Sequence, residues 1–200
     1  FTQNHLGYQP NMHAYWQAKS DLFHWPGLRA AVVNIDDLRG AALVQELLDS
    51  GARGLDLWTT SAQGGPARLM AQDVGYGSQG LQFNVMEQGM APARLSTRLT
   101  GDYNVANLLG VIGALRARGL ALREAVAACA GLDSVPGRME LVPSAAPNAP
   151  LAVVDYAHTP DALDKVLTAL RSLADQRGGR LWCVFGCGGD RDPVKRPLMA

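Results

Sequence analysis

The segment "LAVVDYAHTPDALDKVLTALRSLADQRGGRLWCVF", residues 151–185, decides the fold class. It opens on an apolar run, "LAVVDYA", of the kind that fills a buried strand. Pro160 then stands at the first position of a helix, where a missing N–H costs nothing. Positions 163, 166, 167, 170 and 173 are apolar, a 3.6-residue period that predicts one buried helix face. The run "LWCVF" at 181–185 reads as a second buried strand. Strand, helix and strand make a βαβ unit, so 151–155 and 181–185 are expected to be parallel neighbours.

At 186–189 the second strand breaks into Gly-Cys-Gly-Gly, and Asp190 and Arg191 follow at once. The phosphate loop pattern G-x-x-x-x-G-K-[ST] is absent. The dinucleotide pattern G-x-G-x-x-G fails at its last position, where Arg191 stands. The glycines let backbone approach a ligand, and an arginine fork suits a carboxylate or a phosphate. An ordinary turn with solvated charges is the plainer alternative. Asp155 ends the first strand and His158 precedes the helix. Ligands of open α/β sheets gather at the carboxyl ends of strands, so Asp155, His158 and Arg191 are expected to line one crevice.

Working back towards the start, "SVPGR" (134–138) is a stiff turn and the expected domain boundary. It assigns 1–134 to one domain, 135–140 to a linker and 141–200 to a second domain. Within the first, a helix opens at Gly101-Asp102, with Val105, Leu108, Leu109, Ile112 and Leu115 on one face, and a shorter helix covers 122–129. Residues 55–99 alternate in short runs broken by Gly and Pro, a β-rich stretch with hairpin-like connections. "AAVVNI" (30–35) reads as a buried strand, Ala41–Leu48 as a helix, and Met12–Phe23 as another. The expected class is α/β: a mixed sheet with helices, then the first βαβ unit of a Rossmann-like domain.

Composition narrows the function classes. Eighteen Lys and Arg balance eighteen Asp and Glu among 200 residues, which gives no electrostatic footprint for nucleic acid or a membrane surface. No apolar run approaches a bilayer span. Cys129, Cys183 and Cys187 form no C-x-x-C pair and read as thiols in a reducing compartment, so cytoplasm is expected.

Some residues break local rules. On a wheel of about 100° per residue, Met12, Tyr15, Trp16, Leu22 and Phe23 form one apolar arc with Lys19 at its centre. Such a lysine either snorkels outward or is held in a site. His5 upstream is a metal ligand or a surface histidine. Asn104 and Asn107, three apart at a helix start, share a flank and offer donors and acceptors together. That suits a nucleobase edge or ribose; helix-start chemistry explains them equally.

"GDYNVANLL" (101–109), "VPGRME" (135–140), "VVDYAHTPDAL" (153–163) and "LWCVFGCGGDRD" with "KRPLM" (181–199) occur in this order. Together they resemble the Mur ligase family, most of all its branch that adds the third peptide residue of the peptidoglycan precursor. The opening "HLGYQPNMHAYWQAKSDLF" (5–23) is similar to that family's metal and lysine segment. The resemblance implies an ATP- and Mg2+-dependent amide ligase. Its ATP phosphorylates the D-glutamate carboxylate of UDP-MurNAc-L-Ala-D-Glu, and the amine of the incoming amino acid displaces phosphate. By the same resemblance Lys19 is catalytic as a carbamate and holds magnesium together with His5. Asn104, Asn107, Arg138, Asp155 and His158 contact ATP, and Arg191 with Asp190 holds the amino acid. The "GCGGDRD" context favours meso-diaminopimelate over L-lysine.

The resemblance further implies a cytoplasmic monomer with no nucleic-acid or membrane partner. The family's phosphate loop is expected before Phe1 and the rest of its last domain after Ala200, so the chain is expected to be a fragment inactive alone. The opening departs from the family at Asn4, Gly7 and Gln9, where Asp, Asp and His are usual. Rival readings are another ligase of the Mur or folylpolyglutamate type, a non-catalytic nucleotide-binding module, and a catalytically dead remnant.

Overall fold

The structure, a computed structural model, describes residues 12–51, 54–77, 80–142, 149–187 and 195–200. The chain forms two compact units, Phe1–Asp133 and Ser134–Ala200.

In the first unit, helix α1 (Met12–Ser20) runs into a 3-10 turn, Asp21–His24. Strand β1 (Ala30–Asn34), helix α2 (Leu38–Asp49) and strand β2 (Asp56–Ser61) follow. Then come strands β3 (Leu69–Gly77), β4 (Gly80–Glu87) and β5 (Ala93–Ser96), and helices α3 (Tyr103–Ala117) and α4 (Leu122–Ala130). The five strands form one sheet in sequence order. β1, β2 and β3 are parallel neighbours, whereas β3, β4 and β5 are antiparallel. The hairpin-like reading of 55–99 therefore holds for β3 to β5 and not for the β2–β3 step. Only Thr60 and Ser61 pair with β3 there, so the parallel junction is short.

Strand β1 shows why the parallel half is buried on both faces. Ala31 and Val33 pack with Leu43 and Leu47 of α2, while Val32 packs with the cluster that contains α3. Asp37 starts α2 by accepting the N–H groups of Arg39 and Gly40 at 2.8 and 3.4 Å, an N-cap of the preferred type. β4 alternates strictly, with Leu81, Phe83 and Val85 turned inward and wholly buried. Val105, Leu108, Leu109 and Ile112 of α3 meet them, as the helical period predicts. Burying a side chain such as Phe83 contributes about 2–3 kcal/mol.

One buried pair ties the end of β4 to α3. Arg116 donates from Nε and Nη2 to the two carboxylate oxygens of Glu87, at 2.8 and 2.9 Å. Arg116 also donates to the Leu120 carbonyl, so the charge is hydrogen-bonded on more than one side. The Glu87 carboxylate holds the Arg116 guanidinium above its ordinary pKa, against the opposing effect of burial.

The second unit holds strands β6 (Glu140–Val142) and β7 (Ala152–Val154), paired antiparallel, then helices α5 (Pro160–Gln176) and α6 (Lys195–Met199). Thr159 Oγ1 accepts from the Ala162 N–H and Pro160 fills the first turn, as the sequence predicts. The expected parallel pairing of 151–155 with 181–185 is not formed. β7 pairs with β6 instead, and 181–187 carry no strand. The run also lacks the cover that a parallel pair needs on both faces, since Trp182 is 81% and Val184 99% exposed. A cleft of about 450 Å³, lined by Val153, Leu170, Leu173, Leu181 and Trp182 among others, opens between this run and α5.

Candidate active site

The start of α3 carries the first group of site residues. Asn104 is half-buried, and its Nδ2 donates to the Thr100 carbonyl at 2.7 Å. That bond aims Asn104 Oδ1 along the helix, where it accepts from Nδ2 of Asn107 at 3.1 Å. Asn107 is exposed, so its Oδ1 and its second amide hydrogen face outward. The pair thus forms an oriented relay that ends in an acceptor and a donor side by side, the pattern that pairs with an adenine edge.

The turn before α3 contains a group that the sequence reading passed over. Asp102 occupies the N-cap position yet makes no capping bond. Its Oδ1 accepts instead from the Tyr76 hydroxyl at 2.8 Å, and the same hydroxyl accepts the Gly101 N–H at 3.1 Å. Burial first, and then the Asp102 carboxylate, push the Tyr76 phenol well above its ordinary pKa of 10.0. No signal in the sequence joins Tyr76 to Asp102, which lie 26 residues apart.

In the second unit Asp155 follows β7 and turns back onto the chain. Its Oδ2 accepts the Met139 N–H at 2.9 Å and its Oδ1 the Ala157 N–H at 2.7 Å. Met139 is buried and has φ of 48°, a left-handed conformation that costs energy for a side chain of this size. Asp155 holds that bend, which sets the direction of the neighbouring Arg138. The Arg138 guanidinium lies 5.1 Å from the Tyr156 ring centroid, and His158 meets the same ring edge-on at 5.2 Å. His158 Nδ1 contacts the Tyr156 carbonyl at 3.0 Å. Arg138 and His158 therefore both flank the ring of Tyr156, which stands between Asp155 and His158 in the same motif and which the sequence reading did not single out.

Lys19 takes the outward of the two positions the sequence left open. It is exposed, with Nζ 5.0 Å from the Tyr15 ring centroid, and it does not lie at the centre of a buried arc. The helix wheel fails because α1 ends at Ser20, and the 3-10 turn leaves Leu22 61% exposed. Trp16 and Phe23 of that arc pack beside the α2 cluster. His5, Asp190 and Arg191 lie outside the described residues, so the crevice with Arg191 is not seen. Among the described residues no three His, Cys, Asp or Glu side chains gather as a metal group. None of the described helices is long and apolar enough to cross a membrane.

A family model described as the Mur ligase middle domain matches residues 1–115, and one described as the Mur ligase, glutamate ligase domain matches 137–200. The chain belongs to the Mur ligase family. A relative from Acidovorax sp. (strain JS42), named UDP-N-acetylmuramoyl-L-alanyl-D-glutamate--2,6-diaminopimelate ligase, is 59% identical over 199 residues. That match covers 100% of this Mur ligase chain and 38% of the relative. A relative of the same name from Janthinobacterium sp. (strain Marseille) is 50% identical, covering 100% of this chain and 39% of its own length. A solved structure with that ligase's name matches at a TM-score of 0.72 and 36% identity, over 99% of this chain and 39% of the other. MurF from Acinetobacter baumannii has a TM-score of 0.69 at 20% identity, over 85% of this chain and 35% of its own. That last likeness is one of fold alone. The α/β class expected from the sequence is the class observed.

Proposed function

We propose that this Mur ligase chain carries part of the active site of an ATP-dependent amide ligase of peptidoglycan synthesis. The enzyme joins meso-diaminopimelate to UDP-MurNAc-L-Ala-D-Glu, and it works in the cytoplasm as a monomer. The observation that carries the reading is the 59% identity, across the whole chain, to a relative bearing that ligase's name.

The site residues fit the nucleotide part of this chemistry. The outward amide of Asn107, aimed by Asn104, offers the donor and acceptor that an adenine edge needs. Arg138, Tyr156 and His158 offer an aromatic and cationic face for the base and ribose, with Asp155 fixing the bend beneath them. When bound, ATP supplies the phosphoryl group that activates the D-glutamate carboxylate. Lys19 is exposed, so its amine is open to carbon dioxide; as a carbamate it becomes an anion suited to magnesium. His5 would share that ion, and Arg191 with Asp190 would hold the carboxylate of the incoming amino acid.

The test is phosphate release from ATP by the complete gene product with UDP-MurNAc-L-Ala-D-Glu, comparing meso-diaminopimelate, L-lysine and no amino acid. Turnover with meso-diaminopimelate alone is expected, with near-total loss in Lys19→Ala. Turnover confined to a different precursor would assign the chain to another ligase of the family. Nucleotide binding without turnover in the wild type would favour a non-catalytic module.

A further inference from the structure

We propose that Tyr76 is a positioning residue for the nucleotide, acting through the turn at Thr100–Asp102 on the Asn104–Asn107 relay. The inference rests on the reading of Asn107 as an adenine contact, and it adds a residue from a different strand.

Five hydrogen bonds make the connection. The Tyr76 hydroxyl donates to Asp102 Oδ1 and accepts the Gly101 N–H. The Gly101 carbonyl accepts the Asn104 backbone N–H at 3.0 Å, which starts the helix. The Thr100 carbonyl, on the adjoining peptide, accepts Nδ2 of Asn104, and Asn104 Oδ1 then orients Asn107. Gly101 itself has φ of 97°, and a Cβ there would lie 2.7 Å from Cε1 of Tyr103. The turn thus has a conformation that few side chains permit, and a hydroxyl from β3 holds it.

Asp102 shows that the contact is specific. An aspartate at an N-cap ordinarily accepts the N–H groups of its own first turn. Here it turns away from them to Tyr76. Tyr76 also follows the register irregularity between Gln72 and Gly75, with Asp73 at φ of 52°, which re-aims the end of β3. A device of this kind fixes direction. It predicts an effect on recognition of the base and little effect on the chemical step.

The experiment compares wild type, Tyr76→Phe, Asp102→Ala and Asn107→Ala in the complete gene product. It measures KM and kcat for ATP and for GTP, and the melting temperature of each. Tyr76→Phe keeps the ring and removes both bonds of the hydroxyl. It is expected to raise KM for ATP roughly fivefold to tenfold, the effect of losing about one hydrogen bond, with kcat within twofold. The ATP-over-GTP preference should fall with it. Asp102→Ala, which keeps the Gly101 bond, should give a smaller change in the same direction. A lower melting temperature with an unaltered ATP-over-GTP preference in Tyr76→Phe would overturn the proposal as a merely structural contact. If Asn107→Ala impairs ATP use and Tyr76→Phe does not, the proposal fails while the nucleotide reading stands. If Asn107→Ala itself leaves KM for ATP unchanged, both fail.

Discussion

Tyr76 also sets a pH dependence. The neutral phenol is the form that donates to Asp102, and its pKa in the folded chain is raised above the ordinary 10.0. A group raised in this way contributes stability that is fully present below pH 10 and is lost as pH rises towards the folded value. The melting temperatures of wild type and Tyr76→Phe should therefore differ at pH 8 and converge above pH 10. A gap that stays constant up to pH 11 would show that the phenol's ionisation is not linked to folding. At this scale the sequence was an uneven guide. Asn104, Asn107, Asp155 and His158 stand out because amides and charges at helix starts and strand ends are chemically conspicuous, whereas only the resemblance marks Arg138. The sequence reading passed over Tyr76, whose partner is 26 residues away, since nothing local relates the two. The helix expected over Met12–Phe23 ends early, at Ser20, so a wheel drawn through Phe23 overstates the apolar arc around Lys19.

Among the elements, helices were read best. The apolar period of α3 matches its buried face, and Thr159 with Pro160 starts α5 as expected. Strand pairing was read less well, because period alone does not say which edge a strand will join. The run at 181–185 shows this: its composition suits a buried strand, but burial depends on cover that composition does not report. The contact between α2 and β1 gives a sharper test. A Cβ on Gly40 would lie 2.0 Å from the Asn34 carbonyl oxygen, which is backbone and cannot turn aside. Gly40→Ala must push α2 off β1, at a cost of about 2–3 kcal/mol. The melting temperature should fall by roughly 5–10 °C. An unchanged melt would mean that α2 does not pack this closely.

Among the described residues, both large buried clusters lie within Phe1–Asp133, whereas Ser134–Ala200 buries chiefly Met139, Leu163 and Met199. Hydrogen exchange should follow that imbalance. Amides of Leu81, Phe83, Val85, Leu109 and Ile112, all fully buried, should exchange slowest, and those of 181–185 should exchange near the rate of open chain. Comparable protection in both places would contradict the difference in burial. By itself the sequence determined the family, the α/β class and the helices, because ordered motifs and apolar periods are properties of neighbouring residues. Only the tertiary structure decided that β3 turns the sheet from parallel to antiparallel, that Arg138 meets Tyr156, and that a β3 hydroxyl holds the start of α3. Those are contacts between distant residues, fixed by which surfaces the chain can cover, and no local pattern encodes them.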